Sequence, residues 1–515
     1  MNIIRFSSFV AKRTPIIVGA LAIVAVAAVW LLRSREDKPY NVLLVTVDTL
    51  RPDRLGYNGH RRPTSPAIDA LAREGIAYTN CYSVAGWTLP SIATLFTGRY
   101  PREHGATDFH WSMDVVLPTL AGILRRRGYD TRGFVSHVIL KPSYGVAEGF
   151  SAYDYSVLSD GHPHDVATAR PLTDLVERSL TTIQEPFFLW VHYFDPHFAY
   201  LPHARWRSFG STDIDRYDQE IAHTDSQIAR LLSSLRDRGL YDNTVIVFTS
   251  DHGEEFGEHQ ARYHYTLHDE VLRVPLVIRV PGAAPGVRRA RVEQIDLLPT
   301  LISLLQIESA AGLQLPGRNI LMTTKPDQER PTFVERDRPP PYNLRAVIEG
   351  GYKLIVIGMA DRTDYPARSV KEYEDWAKVT NVTPGMYLFD LTTDPGEQNN
   401  IFSEDHPKAR ELLQLLTDHF AGENHRFCRV EAAAFDGGQR RGRPRAYAGT
   451  LEDLFEQAAG DPGPRHRVLE DLSEGDLPPP RQGMVGTAVE DSPVLAQGND
   501  VHPGVRPGVL GEGDE

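Results

Sequence analysis

Cysteine is nearly missing from this chain: Cys81 and Cys428 are the only two in 515 residues. That excludes a disulfide-dense scaffold and a zinc module built from thiolates. Positive charge is also short. Fifty-five Lys and Arg face 68 Asp and Glu, a formal net charge of −13. No basic stripe offsets this balance, so a general nucleic-acid binder is excluded and no nucleic-acid partner is expected. Internal repeats are absent as well. What is present is an ordinary globular composition, 41% hydrophobic and 24% charged. The length suits one large or two medium domains with a substantial core.

Charge is absent from one stretch near the start, "PIIVGALAIVAVAAVWLL" (Pro15 to Leu32), which follows Arg5, Lys12 and Arg13. At 1.5 Å per residue such a run is just long enough to span a bilayer. Its one small-x-small triplet, "AVA", lies inside the apolar run and before Trp30, so an uncleaved single-pass anchor is expected rather than a removed signal. Arg33, Arg35 and Lys38 blunt the orientation signal, and the expectation is a main domain outside the cytoplasm, periplasmic or extracellular. The other end has few residues to bury. "DGGQRRGRPR", "GDPGPRHR" and "LPPPRQG" read as a disordered Pro/Gly-rich tail over 426–515. The expected organisation is an N-terminal basic segment and anchor over 1–38, a main domain over 40–310, and a C-terminal subdomain over 311–425 before the tail.

Four apolar runs between these ends read as strands: "NVLLVTV" (41–47), "FFLWVHYF" (187–194), "TVIVFTS" (244–250) and "VPLVIRV" (274–280). Near-continuous apolar strands suit a sheet covered on both faces. Helical patterns such as "SPAIDALAREGI" and "HTDSQIARLLSSLRDRGLY" lie between them, giving an α/β fold with a mainly parallel sheet flanked by helices. The first run ends in Asp48, the second leads to Asp195 and His197, the third to Asp251 and His252. Ligands of open α/β sheets bind beyond the carboxyl ends of the strands. One acid there is commonly a cap or a turn residue. Three, two of them accompanied by histidine, suit a Mg²⁺, Ca²⁺, Mn²⁺ or Zn²⁺ centre of one or two ions. His259, His264 and His268 follow closely, and one of them is a candidate to complete it. Asp225, Asp296 and His104 read as structural.

"TLPSIATLFTG" (88–98) reads as a helix, with Thr88 near its N-cap, Pro90 in its first turn and Gly98 past its end. Thr88 is therefore either a cap or a hydroxyl poised in the positive field of a helix start, where a divalent ion would make it a better nucleophile. Arg99, just beyond, is a candidate anion contact.

"NVLLVTVDTLRPDRLG", "TLPSIATLFTGRYPREHG", "YFDPHFAY", "FTSDHGEEFGEH", "RVPLVIRVPG", "IDLLPTLISLL" and "LFDLTTDPGEQNNI" together resemble the sulfatase-like branch of the alkaline phosphatase superfamily. The motifs keep the family's order over roughly residues 40 to 405. The resemblance implies a large α/β domain with a smaller C-terminal α+β subdomain. It implies metal ligands at Asp48, Thr88, Asp251 and His252, and catalytic roles for Thr88, His197 and His264, the last where many sulfatases carry lysine. Asp195 belongs to the same "DP" pair and is expected at the substrate. The departures are informative. The family frame "C/S-x-P-S-R" reads Thr88, Leu89, Pro90, Ser91, Ile92 here. Threonine cannot become formylglycine because its β-carbon bears a methyl group, so no formylglycine is expected. The family's "G-K-W-H" segment is replaced near "FVSHVIL". Threonine is the nucleophile in related phosphoryl-transferring branches. The resemblance thus implies a metal-dependent esterase, leaning to phosphate or phosphonate esters of a small-molecule, lipid or envelope substrate. The alternatives are a sulfuric ester hydrolase with unmodified Thr88, a phosphotransferase to an alcohol, and a metal-binding pseudoenzyme.

Overall fold

The computed structural model describes residues 38–421 apart from 108–111, 114–116, 160–163, 165, 204–207, 308–309, 311, 323–329, 337–341 and 360–381, together with 427–430 and 446–449. The apolar run Pro15 to Leu32 and most of the C-terminal tail lie outside the described residues. Among the described residues, no helix is long and apolar enough to cross a membrane.

The central sheet contains nine strands among the described residues. They are β1 (Asn41–Val47), β2 (Ile76–Tyr82), β3 (Asp130–Val135), β4 (Ala152–Asp154), β5 (Phe187–Tyr193), β6 (Thr244–Ser250), β7 (Arg273–Arg279), β8 (Gly286–Arg288) and β9 (Val292–Glu293). Their order is β8-β2-β7-β6-β1-β5-β3-β4, with β9 also on β2. β1 runs parallel to β5 and β6, and β3 runs parallel to β4 and β5; only β7 runs against its neighbours β2 and β6. All four expected strands are present, and the sheet is mainly parallel as expected.

Alternation along β1 explains why its run has no polar face. Val42 and Leu44 join one buried cluster with Phe188, Trp190, Val245 and Val247. Leu43, Val45 and Val47 join another, with Leu189, Val191, Ile246 and Phe248. Helices α1 (Pro66–Glu74), α2 (Thr88–Thr97), α3 (Leu120–Arg126), α4 (Ala169–Ser179), α5 (Asp213–Asp237) and α6 (Leu297–Leu304) flank the sheet. The clusters divide them: Leu89, Ile92 and Phe96 of α2 pack on the first face, Leu172 of α4 and Leu231 of α5 on the second. Both faces are covered, which is what a parallel sheet requires.

The C-terminal part forms a second, antiparallel sheet of β10 (Thr332–Arg336), β11 (Tyr342–Glu349), β12 (Tyr352–Met359), β13 (Gly385–Asp390), β14 (Phe427–Val430) and β15 (Ala446–Gly449), with helix α7 (Pro407–His419). Val347, Leu354 and Val356 face Leu412 and Leu416 of α7. Leu344, Ala346 and Ile355 face Leu267, Val271 and Leu272 of the catalytic part. This antiparallel unit is the expected α+β subdomain. Its sheet extends past residue 425, because β14 and β15 fall in the segment expected to be tail. The Pro/Gly density that marked the tail hid two short pairing segments.

Candidate active site

Strand register brings the chemistry to one edge. Val47 pairs with Tyr193 on one side and Ser250 on the other, and Val135 pairs with His192. Asp48, Asp251 and His252 therefore emerge side by side at the carboxyl ends of β1 and β6, and all three are fully buried. The start of α2 meets them. Thr88 is the first helical residue and is buried, while Trp87 occupies the extended cap position. The Thr88 hydroxyl is not spent on capping; it lies 3.3 Å from His252 Nε2. The loop entering α2 is held by Ser91, whose hydroxyl donates to the Ala85 carbonyl at 3.1 Å and meets Ser83 Oγ at 3.0 Å.

Hydrogen-bond partners fix the tautomers at the site. His252 Nδ1–H donates to the Gly253 carbonyl at 2.9 Å, so Nε2 carries a lone pair toward the acids. His137 shows the opposite state. Its Nδ1 accepts from the Ile139 backbone N–H at 3.1 Å, so Nε2 bears the proton and aims it at Asp48 Oδ2, 3.4 Å away. His192 points Nε2 at the same oxygen from 3.3 Å. Behind it, Thr46 Oγ1 takes the Trp190 indole N–H at 3.0 Å and stands 2.8 Å from His192 Nδ1. With the indole as donor, the threonine hydroxyl donates to Nδ1 and leaves Nε2–H for Asp48.

The two oxygens of Asp48 are thus unlike. Oδ2 is served by two imidazoles, whereas Oδ1 is buried without a hydrogen-bond partner. Asp251 is divided in the same way. Its Oδ1 accepts from the backbone N–H groups of Thr49 at 3.2 Å and His252 at 2.8 Å, while its Oδ2 has no hydrogen bond. The unserved oxygens both face His252 Nε2, at 3.7 Å from Asp48 Oδ1 and 3.5 Å from Asp251 Oδ2. Burial and repulsion from Asp251 and Glu254 push the Asp48 carboxyl well above the usual range. Two bare carboxylate oxygens, one imidazole lone pair and a hydroxyl fit a divalent cation through hard oxygen donors and one nitrogen. On the Oδ2 side His137 and His192 present protons to Asp48, and Asp48, His137 and His197 form a second group of donors there.

His197 and His264 complete the rim. The His264 ring lies 4.5 Å from the His252 ring and 5.5 Å from the His197 ring, centre to centre. His197 Nδ1–H donates to the Phe198 carbonyl at 2.8 Å, leaving a lone pair on Nε2. Burial, reinforced by His164, lowers its pKa to about 3, so the ring is neutral. Burial and the neighbouring His252 hold His264 neutral too. Behind His264, the buried Glu254 carboxyl sits 3.6 Å from Nδ1, and burial beside Glu255 keeps it protonated well above the usual range. Arg336, from β10 of the second sheet, donates to the carbonyls of Gly86, at 2.6 Å, and His264. It ties the approach to Thr88 to the segment bearing His264.

The structure brings together Asp48, Thr88, His197, Asp251, His252 and His264, and corrects two expectations. Asp195 does not face the site: its carboxylate accepts the Thr168 hydroxyl at 2.6 Å and backbone N–H at 3.1 Å before α4. Arg99 follows the far end of α2, about 15 Å along the axis from Thr88 by helical rise, and pairs with Glu103 at 3.2 Å. Sequence reasoning missed His137, His192, Glu254 and Arg336. A histidine inside the buried run "FFLWVHYF" and a glutamate directly after "DHG" were readable signals. "DTRGFV" is too polar to announce the strand before His137, and nothing in the sequence ties Arg336 to a site 250 residues earlier at Gly86.

Comparison with known proteins gives the family and the fold. The family described as Sulfatase matches residues 40–307. An ulvan-active sulfatase of Formosa agariphila is 26% identical over 428 residues, covering 72% of this chain and 79% of the relative. An N-acetylgalactosamine-6-O-sulfatase of Bacteroides thetaiotaomicron is 24% identical, covering 74% and 93%. Among solved structures, the phosphonate monoester hydrolase of Agrobacterium radiobacter superposes with a TM-score of 0.60 at 22% identity, covering 74% of this chain and 95% of that one.

Proposed function

The chain belongs to the sulfatase family and is a hydrolase of sulfate- or phosphonate-type ester bonds; from that premise we propose that it cleaves phosphate or phosphonate esters through the hydroxyl of Thr88. The observation that carries this reading is the buried Thr88 hydroxyl, free of any capping bond and 3.3 Å from His252 Nε2 at the start of a helix. A threonine in this place cannot supply the aldehyde hydrate of a formylglycine sulfatase, but its oxygen can attack directly.

Asp48 Oδ1, Asp251 Oδ2, His252 Nε2 and Thr88 Oγ1 would hold one Mn²⁺, Zn²⁺, Ca²⁺ or Mg²⁺ ion. Such an ion supplies positive charge that favours an ionised hydroxyl and offsets charge on the ester oxygens. The chain's own groups do the rest. Thr88 Oγ1 gives its proton to solvent and bonds to phosphorus while the bond to the leaving oxygen breaks. His264, backed at Nδ1 by the protonated Glu254, donates a proton from Nε2 to that oxygen. His197 keeps its Nε2 lone pair and serves as base for the water that frees the phosphoryl group from Thr88. The helix start adds unpaired backbone N–H groups for the nonbridging oxygens.

A second reading keeps sulfate esters as substrates of an unmodified Thr88, and the names of the sulfatase relatives favour it. Attachment to a membrane through Pro15 to Leu32, an extracytoplasmic location and an envelope ester substrate belong to the proposal on sequence grounds alone. The test strips the full chain of metal and restores Mn²⁺, Zn²⁺, Mg²⁺ or Ca²⁺ separately. Each form is assayed on nitrophenyl sulfate, phosphate monoester, phosphodiester and phosphonate. Metal-dependent turnover, fastest on a phosphorus ester and lost in Thr88→Ala and Asp251→Ala, is the expected result. Fastest turnover of the sulfate ester would move the assignment to the second reading. Metal binding with no turnover of any ester would move it to transfer onto a specific alcohol or to a binding role.

A further inference from the structure

Two aromatic side chains with no part in the chemistry stand beside two histidines that have one. Phe198 follows His197, and Tyr263 precedes His264. The Phe198 and Tyr263 rings meet edge to face, with centres 4.8 Å apart and planes 74° apart. The His197 and His264 rings lie 5.5 Å apart. The two segments therefore meet twice, once through the histidines and once through these aromatic rings. Phe198 is 37% exposed, whereas Tyr263 is half-buried. Of the five large apolar side chains exposed among the described residues, Phe198 alone adjoins a residue with a proposed catalytic role.

The pair is braced. Tyr200 packs edge-on against Phe198 at 5.8 Å and tilts against Phe256 at 5.4 Å. Phe256 in turn pairs with Arg262 in a short antiparallel ribbon of Glu255–Phe256 and Arg262–Tyr263. Within that ribbon Tyr263 has φ 72°, the left-handed region that bulky side chains rarely adopt. Residues held in such conformations cluster at ligand sites, where the surrounding fold sustains them. Arg262, the charged residue next to Tyr263, is committed to Asp213 at 2.9 Å. His197 is committed on one side too, because its Nδ1–H donates to the Phe198 carbonyl at 2.8 Å. The mouth of the site therefore offers ring surface that is fixed in place before any ligand arrives, which lowers the cost of binding.

We propose that Phe198 and Tyr263 form the leaving-group wall of the active site and select esters of aryl alcohols over those of alkyl or sugar alcohols. This rests on the function proposed above, in which His264 gives its proton to the leaving oxygen. That role puts the departing group beside His264, and so beside Tyr263 and the exposed Phe198. An aromatic leaving group suits the wall because aromatic rings favour edge-to-face and offset contacts with Phe and Tyr. A sugar would need partners for its hydroxyls as they leave water, and Arg262 is already spent on Asp213.

The test uses the full, metal-loaded protein and two monoesters of methylphosphonic acid, phenyl and hexafluoroisopropyl, whose leaving alcohols are similarly acidic. The parent is expected to favour the phenyl ester in kcat/KM by about a hundredfold, and Phe198→Ala and Tyr263→Ala each to cut that ratio about tenfold, mainly through KM. Tyr263→Phe keeps the ring and is expected to keep the ratio, and melting curves show that each variant is folded. A ratio near one in the parent would overturn the proposal. So would a ratio unmoved in both alanine variants while both esters slow together, which would leave the rings only a part in placing His264. Calorimetric titration of Thr88→Ala with the same esters reads the preference as a ratio of Kd and needs no turnover. A phenyl preference there that falls on adding Phe198→Ala upholds the wall even if Thr88→Ala proves fully active, a result that sinks the proposed nucleophile alone. A parent that turns over only the corresponding sulfate esters is read by the same ratio. Tighter binding of the methylphosphonate ester of methyl glucoside, formed at its primary hydroxyl, would overturn the choice of an aryl group.

Discussion

At position 88 the consequences rest on one oxygen. Thr88→Ser keeps that oxygen and the helix start, and is expected to retain kcat/KM within about tenfold of the parent, whereas Thr88→Ala is expected to lose about a thousandfold, roughly 4 kcal/mol of transition-state stabilisation. Steady-state kinetics on the preferred ester, beside melting curves for both variants, separate lost chemistry from lost fold. His192 acts one step back, through Asp48. Its ring is fixed by Thr46 and Trp190 and holds Oδ2, so that Oδ1 faces the cation position. His192→Phe is expected to weaken metal affinity about 10- to 100-fold while kcat at saturating metal stays nearer the parent. Metal titration of activity checks it, and an equal loss of kcat at all metal concentrations would contradict it. Asp48, Thr88, Asp251 and His252 were legible because strand ends and helix starts are readable, and chemistry sits there. Asp195 misled because its sequence position matches a site residue while its carboxylate is consumed by Thr168. His137 and His192 were hidden by what makes them useful, since one follows a polar-looking strand and the other lies inside an apolar one.

Helix α2 carries the proposed nucleophile at its first residue, and its other end is anchored by a histidine with no part in the chemistry. His104 Nδ1 accepts from the Ala106 N–H at 3.2 Å, and Nε2 meets Thr94 Oγ1 at 3.1 Å. Burial lowers its pKa from 6.5 to about 3. The unfolded chain takes up this proton below about pH 6.5 and the folded chain does not. The contribution is therefore complete above pH 6.5 and is lost as pH falls toward 3, at up to about 1.4 kcal/mol per pH unit. His104→Gln is expected to flatten that limb by one proton's worth, read from denaturant midpoints between pH 4 and 7. An unchanged slope would show that His104 titrates normally. On β10, Arg336→Met removes the donor to the Gly86 and His264 carbonyls. The expected outcome is lower kcat with metal content unchanged, measured by kinetics and elemental analysis on the same preparation. Element boundaries were largely readable: Gly98 takes the left-handed conformation, φ 62°, just past α2. Thr88 was placed one position early, because the extended Trp87 takes the cap.

At the scale of the whole molecule, the two bare carboxylate oxygens of Asp48 and Asp251 make the folded state a better cation binder than the unfolded chain. A chelator is expected to lower the melting temperature and an added divalent ion to restore it. Saturation at 100 times Kd gives about 2.7 kcal/mol. A melt indifferent to chelation would argue against a resident ion. The mainly parallel sheet was legible from its apolar runs, and the resemblance added the second sheet. What the sequence could not convey was how that sheet reaches the site. Arg336 acts across the packing of Leu344, Ala346 and Ile355 on Val271 and Leu272, a contact without a local pattern. The central claim is a covalent step at Thr88, and rapid-quench peptide mapping during turnover of an aryl phosphonate or phosphodiester tests it most directly. A transient phosphoryl or phosphonyl group on the peptide containing Thr88, absent in Thr88→Ala, is the expected result. Undiminished turnover in Thr88→Ala, or steady turnover with that peptide never modified, would contradict it.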